Sequence, residues 1–120
     1  MDELCDFIGL RFVDAGTTEL EIAPRHINPA GVLSGVVTYA LVDYGMGRAL
    51  WEVKEADETV VTVSLSLNYV GSAEGGRIIC RTALDRKTAG VALLQSEVRH
   101  EDGRLLALGL GTFAVIRGPG

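Results

Sequence analysis

Residues 31–51 read GVLSGVVTYALVDYGMGRALW, and this stretch decides the fold. It is the one good helix candidate of the chain, and it is preceded by Asn28-Pro29. On such a helix, apolar side chains occupy nearly every face: Val32, Leu33, Val36, Val37, Tyr39, Ala40, Leu41, Val42, Met46, Ala49 and Leu50. A helix that is apolar all round must be enclosed, so we expect the rest of the chain to cover it.

Turn signals divide the rest of the chain into short apolar segments. Residues that tolerate turn conformations cluster at 14–17, 71–76, 87–90 and 101–103. The segments of strand length, most of them rich in Val, Ile, Leu and Thr, are 8–14, 17–24, 59–70, 77–86, 91–100 and 104–116. After residue 58 this pattern predicts an antiparallel meander.

The clearest strand alternates apolar and polar side chains at the two-residue period of a half-buried strand. Its apolar members are Val61, Val63, Leu65, Leu67 and Tyr69, and its polar members are Thr62, Ser64, Ser66 and Asn68. A doubly wound fold is excluded because it needs a helix between successive parallel strands. We therefore predict an α+β protein with the hotdog fold, an antiparallel sheet of five to six strands wrapped around one long central helix. Residues 1–120 form a single domain in this interpretation.

Composition and charge narrow the possible partners. The chain is 48% apolar and 22% charged, which is typical of a folded globular protein and excludes disorder. The net charge is −5 and the basic residues are scattered, so we expect no nucleic-acid partner. Cys5 and Cys80 lack metal-ligand spacing, which predicts free thiols in a reducing compartment, the cytoplasm. No apolar run approaches the roughly 18–20 residues of a membrane span, so we expect no membrane partner.

Two neighbouring segments carry a family signature. Residues 25–36 read RHINPAGVLSGV, and residues 41–47 read LVDYGMG. They resemble the phenylacetate-pathway type of hotdog thioesterase, whose pattern H-x-N-x-x-G-x-x-H-G-G is followed by an acidic residue on the helix. The matching spacings are held by Asn28, Gly31, Gly35 and Asp43. The strand VTVSLSLNY also resembles the strand that follows in the family, so the resemblance covers almost the whole chain.

The chain departs from this pattern at two positions. Ser34 stands where the family usually has histidine, and Val36 replaces the second glycine. In the family, the histidine helps to position the substrate or leaving group, while the glycine N–H and the helix dipole polarise the thioester carbonyl. The resemblance therefore implies that Gly35 keeps the polarising role and that Ser34 occupies the position of the missing histidine.

Gly35 is the candidate for stabilising the reaction's charge. Thioester hydrolysis places negative charge on the carbonyl oxygen, and the first turn of a helix offers unsatisfied N–H groups to it. Without a side chain, Gly35 would let the carbonyl approach closely, and the Asn28 amide is a second candidate donor. The alternative is structural: Gly35 permits close helix packing, and Asn28 caps the helix or forms a turn.

Asp43 is the candidate acid–base residue. A carboxylate within an apolar helix is costly to bury unless it is paired or used. It would act as general base on a water, or attack the thioester directly and form an anhydride, and the sequence leaves both routes open. The alternative is a carboxylate at the helix surface or one bonded to a neighbouring backbone N–H.

The spacing of these two residues predicts an oligomeric site. Gly35 and Asp43 are eight residues apart, which on a helix means about 12 Å along the axis and about 80° of rotation. They cannot act on one carbonyl within a single chain. We therefore predict a two-fold homodimer with two equivalent sites shared between chains, and the family resemblance implies that dimers pair into a homotetramer.

Further site residues follow from the resemblance. Thr62 matches a hydroxyl residue that orients the attacking water, although strict alternation would instead place it on the polar face with Ser64 and Ser66. The CoA portion would be held by Tyr69, Gly71, Ser72 and Arg86. His26 and His100 stay outside the site, and neither indicates a metal cluster.

The sequence thus predicts an acyl-CoA thioesterase that releases free acid and CoA without a metal or redox cofactor. CoA enters only as part of the substrate. The alternative is a non-hydrolytic acyl-CoA or acyl-carrier binding protein that lost the motif histidine at Ser34. A hydratase or dehydratase ranks lower because no histidine stands at the helix start, and a purely structural dimer module would leave Asp43 without a purpose.

Overall fold

A computed structural model describes residues 2–118 and confirms the predicted hotdog fold. Six antiparallel strands curl around one long helix. The elements are α1 (Glu3–Ile8), β1 (Arg11–Asp14), β2 (Thr17–Glu21), a 3-10 turn (Pro24–His26), α2 (Gly35–Val53), β3 (Glu58–Tyr69), β4 (Arg77–Lys87), β5 (Val91–His100) and β6 (Leu105–Arg117). Within residues 2–118, no helix is long and apolar enough to span a membrane.

The structure differs from the prediction at α1, at the start of β1 and at the start of α2. The short helix α1, capped by the Asp2 carboxylate, was not predicted, and the first strand begins at Arg11 rather than at residue 8. The long helix begins at Gly35 rather than at Gly31. Gly31 has φ +86° and belongs to a turn, and the Ser34 side chain caps the helix four residues later than expected.

The strand order is β1-β2-β4-β5-β6-β3. The meander is confirmed for β4, β5 and β6, but the expectation that β3 also belongs to it is wrong, because β3 pairs with β6 at the far edge. Residues 70–76 connect β3 to β4 across the end of the sheet. Three strand spacings amount to about 14 Å, which seven extended residues easily cover.

The core lies between α2 and the inner face of the sheet. Helix residues Leu41, Val42, Met46 and Leu50 are completely buried. Close approach is possible because glycines face the contact from both sides: Gly45 on α2, and Gly109 and Gly111 on β6. The sheet does not enclose the helix fully, however. Along one stripe, Val36, Tyr39 and Trp51 stay 77%, 42% and 59% exposed, so a single chain leaves part of its apolar helix uncovered.

Replacing Gly111 by alanine should destabilise the fold. An added Cβ at Gly111 would overlap the Met46 sulfur, which is itself fully buried. We expect the free energy of unfolding in urea to fall by about 1–3 kcal/mol, the usual cost of overpacking. Gly90→Ala is the matched control, because no atom of residues 2–118 beyond its own neighbours lies within 4 Å of an added Cβ there. Equal stability of the two variants would contradict this packing.

A bulge in β3 changes which residues face the helix. The pairing of β3 with β6 shifts between Thr62 and Ser64, so Val63 is the extra residue. Val60 and Thr62 face inward before the bulge, and Leu65 and Leu67 face inward after it. The predicted strict alternation is therefore wrong at its start, and Thr62 lies on the opposite face from Ser64 and Ser66.

Candidate active site

Asp43 and Thr62 are brought together at the third turn of α2. The Thr62 hydroxyl donates a hydrogen bond to Asp43 Oδ1 at 2.7 Å. The helix positions the carboxylate, and the β3 bulge turns the threonine toward it. Of the two alternatives for Thr62, the structure thus supports contact with Asp43 rather than a threonine on the outer face of the strand.

An apolar pocket opens beside this pair. Its volume is about 480 Å³, within the range of small-molecule sites. Most of its walls are aromatic or aliphatic, and the lining residues are Asp2, Phe12, Asp43, Tyr44, Gly47, Arg48, Trp51, Val60, Thr62 and Phe113. A carboxylate with a hydroxyl partner at the side of an apolar chamber can activate water next to an apolar acyl group.

A second hydrogen-bonded pair forms one wall of the pocket. The Tyr44 hydroxyl donates to Asp2 Oδ1 at 2.9 Å, and the same oxygen accepts the Cys5 backbone N–H at 2.7 Å. Burial, reinforced by the bond to Asp2, raises the pKa of Tyr44 to about 12. The Cys5 N–H, and then Tyr44, lower the pKa of Asp2. This pair therefore joins α1 to α2 as neutral phenol and carboxylate.

The N-terminus of α2 forms a separate polar region. Gly35 is the first helical residue, and its backbone N–H makes no hydrogen bond to any group of residues 2–118. The Tyr69 hydroxyl donates to the Gly35 carbonyl oxygen at 2.6 Å. Burial, and then the neighbouring Tyr39, raise the pKa of Tyr69, so the hydroxyl remains protonated. An unpaired N–H at a helix start can bind an oxyanion.

Ser34 and Asn28 have structural roles in this loop. Ser34 Oγ accepts the Val36 N–H at 3.2 Å, which makes Ser34 the N-cap of α2. Asn28 Oδ1 accepts the N–H groups of Ala30 and Val32 at 2.9 and 3.3 Å. The Asn28 oxygen therefore holds a turn, and a donor role of its amide nitrogen stays a prediction.

Both histidines contact backbone groups at the ends of secondary-structure elements. His26 is buried; its Nδ1 accepts the Ala23 N–H at 2.9 Å, and its Nε2 lies 2.7 Å from the Ile8 carbonyl oxygen. His100 Nε2 lies 2.8 Å from the Gly75 carbonyl oxygen in a turn. Neither side chain lines the pocket beside Asp43.

The residues expected to hold CoA do not all meet in one chain. Tyr69 contacts the start of α2, Gly71 hydrogen-bonds the Leu106 carbonyl, and the Ser72 carbonyl accepts from Arg104 Nη1 at 2.9 Å. Arg86 pairs with Leu93 at the other end of β4, about 30 Å from the start of that strand. Arg86 thus lies apart from the other three residues. The contact between Arg104 and Ser72 was not predicted from the sequence. It depends on the crossover of residues 70–76, which no local pattern indicates.

The two groups of the predicted site, here called half-sites, lie apart in one chain. The Gly35 N–H, which has no partner among residues 2–118, lies at the start of α2. Asp43 with Thr62 lies eight residues along the helix, about 12 Å away. None of Gly35, Ser34 or Asn28 lines the pocket at Asp43. This geometry agrees with the reasoning that one chain alone cannot place both half-sites on a single carbonyl.

Thr62→Val should weaken catalysis at Asp43 while keeping the side-chain shape. Loss of a hydrogen bond to a charged group is expected to lower kcat for thioester hydrolysis by about 10- to 100-fold. Thr62→Ser retains the hydroxyl and should lose much less. The measurement is steady-state thiol release, and similar rates for the valine and serine variants would show that the hydroxyl does not contribute.

A sheet curled around one long helix defines a hotdog protein, and a carboxylate with a hydroxyl partner lies beside its apolar pocket. Residues 30–107 match the family model described as the thioesterase superfamily. The chain therefore belongs to the thioesterase superfamily.

Known proteins agree with this membership. A Pseudomonas aeruginosa protein assigned as an esterase, PA0474, is 30% identical over 95 residues, covering 78% of this chain and 70% of its own length. The conserved protein PA5202, also from P. aeruginosa, is 28% identical and superposes with a TM-score of 0.90, covering 97% of this chain and 95% of its own. BH2602 from Bacillus halodurans, solved with CoA, is 22% identical with a TM-score of 0.91, covering 97% and 77%.

Proposed function

We propose that the protein hydrolyses an acyl-CoA thioester to free acid and CoA at a site shared between two protomers. The observation that carries this proposal is the Asp43–Thr62 pair beside an apolar pocket, with the free Gly35 N–H at the start of the same helix. The superfamily membership supports the thioester chemistry. The CoA found with BH2602 supports CoA as the carrier. The motif of residues 25–47 supports the phenylacetate-pathway type.

In the proposed reaction, each half-site has one role. The Gly35 N–H of one protomer binds the carbonyl oxygen as it becomes negative. In one route Asp43 of the other protomer takes a proton from water as the water oxygen bonds to the acyl carbon; in the other its carboxylate attacks and forms an anhydride that water then opens. In both routes the C–S bond breaks, and the sulfur leaves as thiolate and is protonated to CoA.

Two surfaces that one chain leaves uncovered support the proposed dimer. Strand β3 pairs only with β6 among the strands of residues 2–118, so one edge of twelve residues is left open. The exposed α2 stripe with Val36 and Tyr39 adds apolar surface. Long, apolar open edges are normally covered. A two-fold axis would bring two β3 edges and two antiparallel helices together and place Asp43 of one chain near Gly35 of the other.

The outer face of the sheet supports pairing of dimers. Leu93, Leu108 and Leu110 are exposed there by 41%, 44% and 65%. They lie on the adjacent strands β5 and β6, and Leu110 stands opposite Gln95 in the register of the two strands. Exposed leucines on neighbouring strands favour a second interface, so we propose a homotetramer. Cys5 and Cys80 are buried free thiols, which fits a cytoplasmic protein.

A binding protein without hydrolysis is the second candidate. The observation that favours it is Ser34, whose hydroxyl caps the helix where the family usually has an imidazole. Thiol release from short, long and aromatic acyl-CoAs separates the two functions, with Ser34→His measured in parallel. Hydrolysis of at least one substrate by the native protein supports the thioesterase. Binding without hydrolysis, together with hydrolysis by Ser34→His, would establish the binding protein instead.

A further inference from the structure

Gly47 is a glycine in the middle of α2 that packing within the chain does not explain. Glycine is a poor helix former, so its presence in a helix calls for a reason. Gly45 has one, because an added Cβ would lie 3.3–3.5 Å from side-chain atoms of Thr18, Thr82 and Cys80. At Gly47, no atom of residues 2–118 beyond the adjacent helix backbone lies within 4 Å of an added Cβ.

The open space at Gly47 is part of the pocket beside Asp43. Asp43, Gly47 and Trp51 follow one another at four-residue spacing, so they lie on one stripe of α2, and all three line the pocket. The stripe extends about 12 Å from the carboxylate to the indole. Gly47 lies midway, where any side chain would project into the pocket.

The charges of the pocket favour an uncharged occupant. Asp2 and Asp43 both contribute carboxylates, which would repel a second anion. Among residues 2–118, the lining cation is Arg48, whose guanidinium stacks on Phe12 at 5.4 Å. Its charge is offset by the Glu52 carboxylate, which lies 3.0 Å from Nε. Val60 and Phe113 complete an apolar wall.

We propose that Gly47 determines acyl specificity by leaving a channel along α2 from Asp43 to Trp51. The inference rests on the proposed thioesterase function and names its substrate class. The acyl group is uncharged and apolar, either a medium-length chain or an aryl group long enough to pass Gly47 and reach Trp51. An acetyl group ends before Gly47 and gains nothing from the channel.

The test compares selectivity rather than rate alone. The ratio of kcat/KM for octanoyl-CoA over acetyl-CoA, and for phenylacetyl-CoA over acetyl-CoA, is measured for the native protein and for Gly47→Leu. Because even one methylene in an apolar pocket changes discrimination by 10- to 200-fold, we expect Gly47→Leu to lower both ratios by about 100-fold. Gly47→Ala should lower them less. Gly90→Leu is the matched control, since Gly90 is equally unobstructed but does not line the pocket.

Two further readouts separate the possible failures. Calorimetric dissociation constants for octanoyl-CoA and acetyl-CoA report the same selectivity even if the native protein hydrolyses neither. In that case a shift in Gly47→Leu would support the channel while the proposed hydrolysis fails. The oligomeric state of each variant is measured by light scattering. Unchanged ratios, or an equal loss on all substrates with dissociation of the oligomer, would overturn the inference and assign Gly47 to packing against a second copy.

Discussion

Asp43→Asn is expected to lower kcat/KM for acyl-CoA hydrolysis by about 1,000-fold, because the variant can neither accept a proton from water nor attack the thioester. The substitution keeps the size of the side chain, and the Thr62 hydroxyl can still donate to the amide oxygen. We therefore expect an unchanged far-UV circular dichroism spectrum and melting temperature. Thiol release under saturating and limiting substrate gives both kinetic constants.

A folded Asp43→Asn variant with native activity would remove Asp43 from the mechanism. Asp85→Asn is the matched control, because this carboxylate lies on β4 and does not line the pocket, and the amide oxygen can still accept the Gln95 hydrogen bond. A single-turnover reaction in heavy-oxygen water then separates the two routes. Direct attack of water labels the product acid in the first turnover. Attack by Asp43, followed by opening of the anhydride at the aspartyl carbonyl, labels the protein instead.

Gly35→Pro is expected to lower kcat by about 100- to 1,000-fold, the usual cost of losing one oxyanion donor. Proline removes the N–H and is well tolerated as the first residue of a helix. Ser34 already has the extended backbone that a following proline requires, with φ −63° and ψ 133°. The Cβ of the new residue also fits, since an added Cβ lies 3.4 Å from the Tyr69 ring, an ordinary contact.

Gly35→Ala is the matched control, because it adds the Cβ and keeps the N–H. Similar losses in the alanine and proline variants would mean that the bulk of the side chain, and not the N–H donor, matters.

A mixing experiment tests the shared site: the Gly35→Pro and Asp43→Asn proteins are unfolded, mixed and refolded together. Random reassortment makes half of the dimers mixed, each with one intact site, so about a quarter of the native activity should return. No recovery would contradict a site built from two chains.

Local sequence patterns predicted the element types because side-chain period and turn chemistry are local properties. The helix of residues 31–51 and the six strand segments were recognisable from periodicity. The structure differs from the prediction only in the first and last residues of these elements. The late start of α2 could not be foreseen from apolar content, since Val32 is apolar but lies in a turn held by Asn28, and Leu33 forms an isolated β-bridge with Ile27. The short helix α1 was missed because six residues carry little periodic signal.

Strand order and the composition of the site depend on tertiary structure. Nothing in residues 70–76 shows that β3 leaves the meander, and this crossover brings Arg104 to Ser72 while leaving Arg86 at the opposite end of β4. Asp43 was identifiable because a carboxylate interrupts an apolar helix. Thr62 was ambiguous because one extra residue in β3, invisible to an alternation pattern, decides the face on which it lies.

That extra residue interrupts the alternation of β3 by one position, and the interruption sets the face on which Thr62 lies. Regular pairing that retained Val63 would turn Thr62 away from α2 while Leu65 stayed inward, because residues three apart in a regular strand lie on opposite faces. Deleting Val63 would instead place Thr62 and Leu65 two positions apart, so both would still face α2. A single-codon deletion at Val63 would therefore remove the bulge and keep the hydroxyl on the side of Asp43. Among natural variants of this strand, we expect the loss of Val63 to be tolerated more often than the loss of another residue.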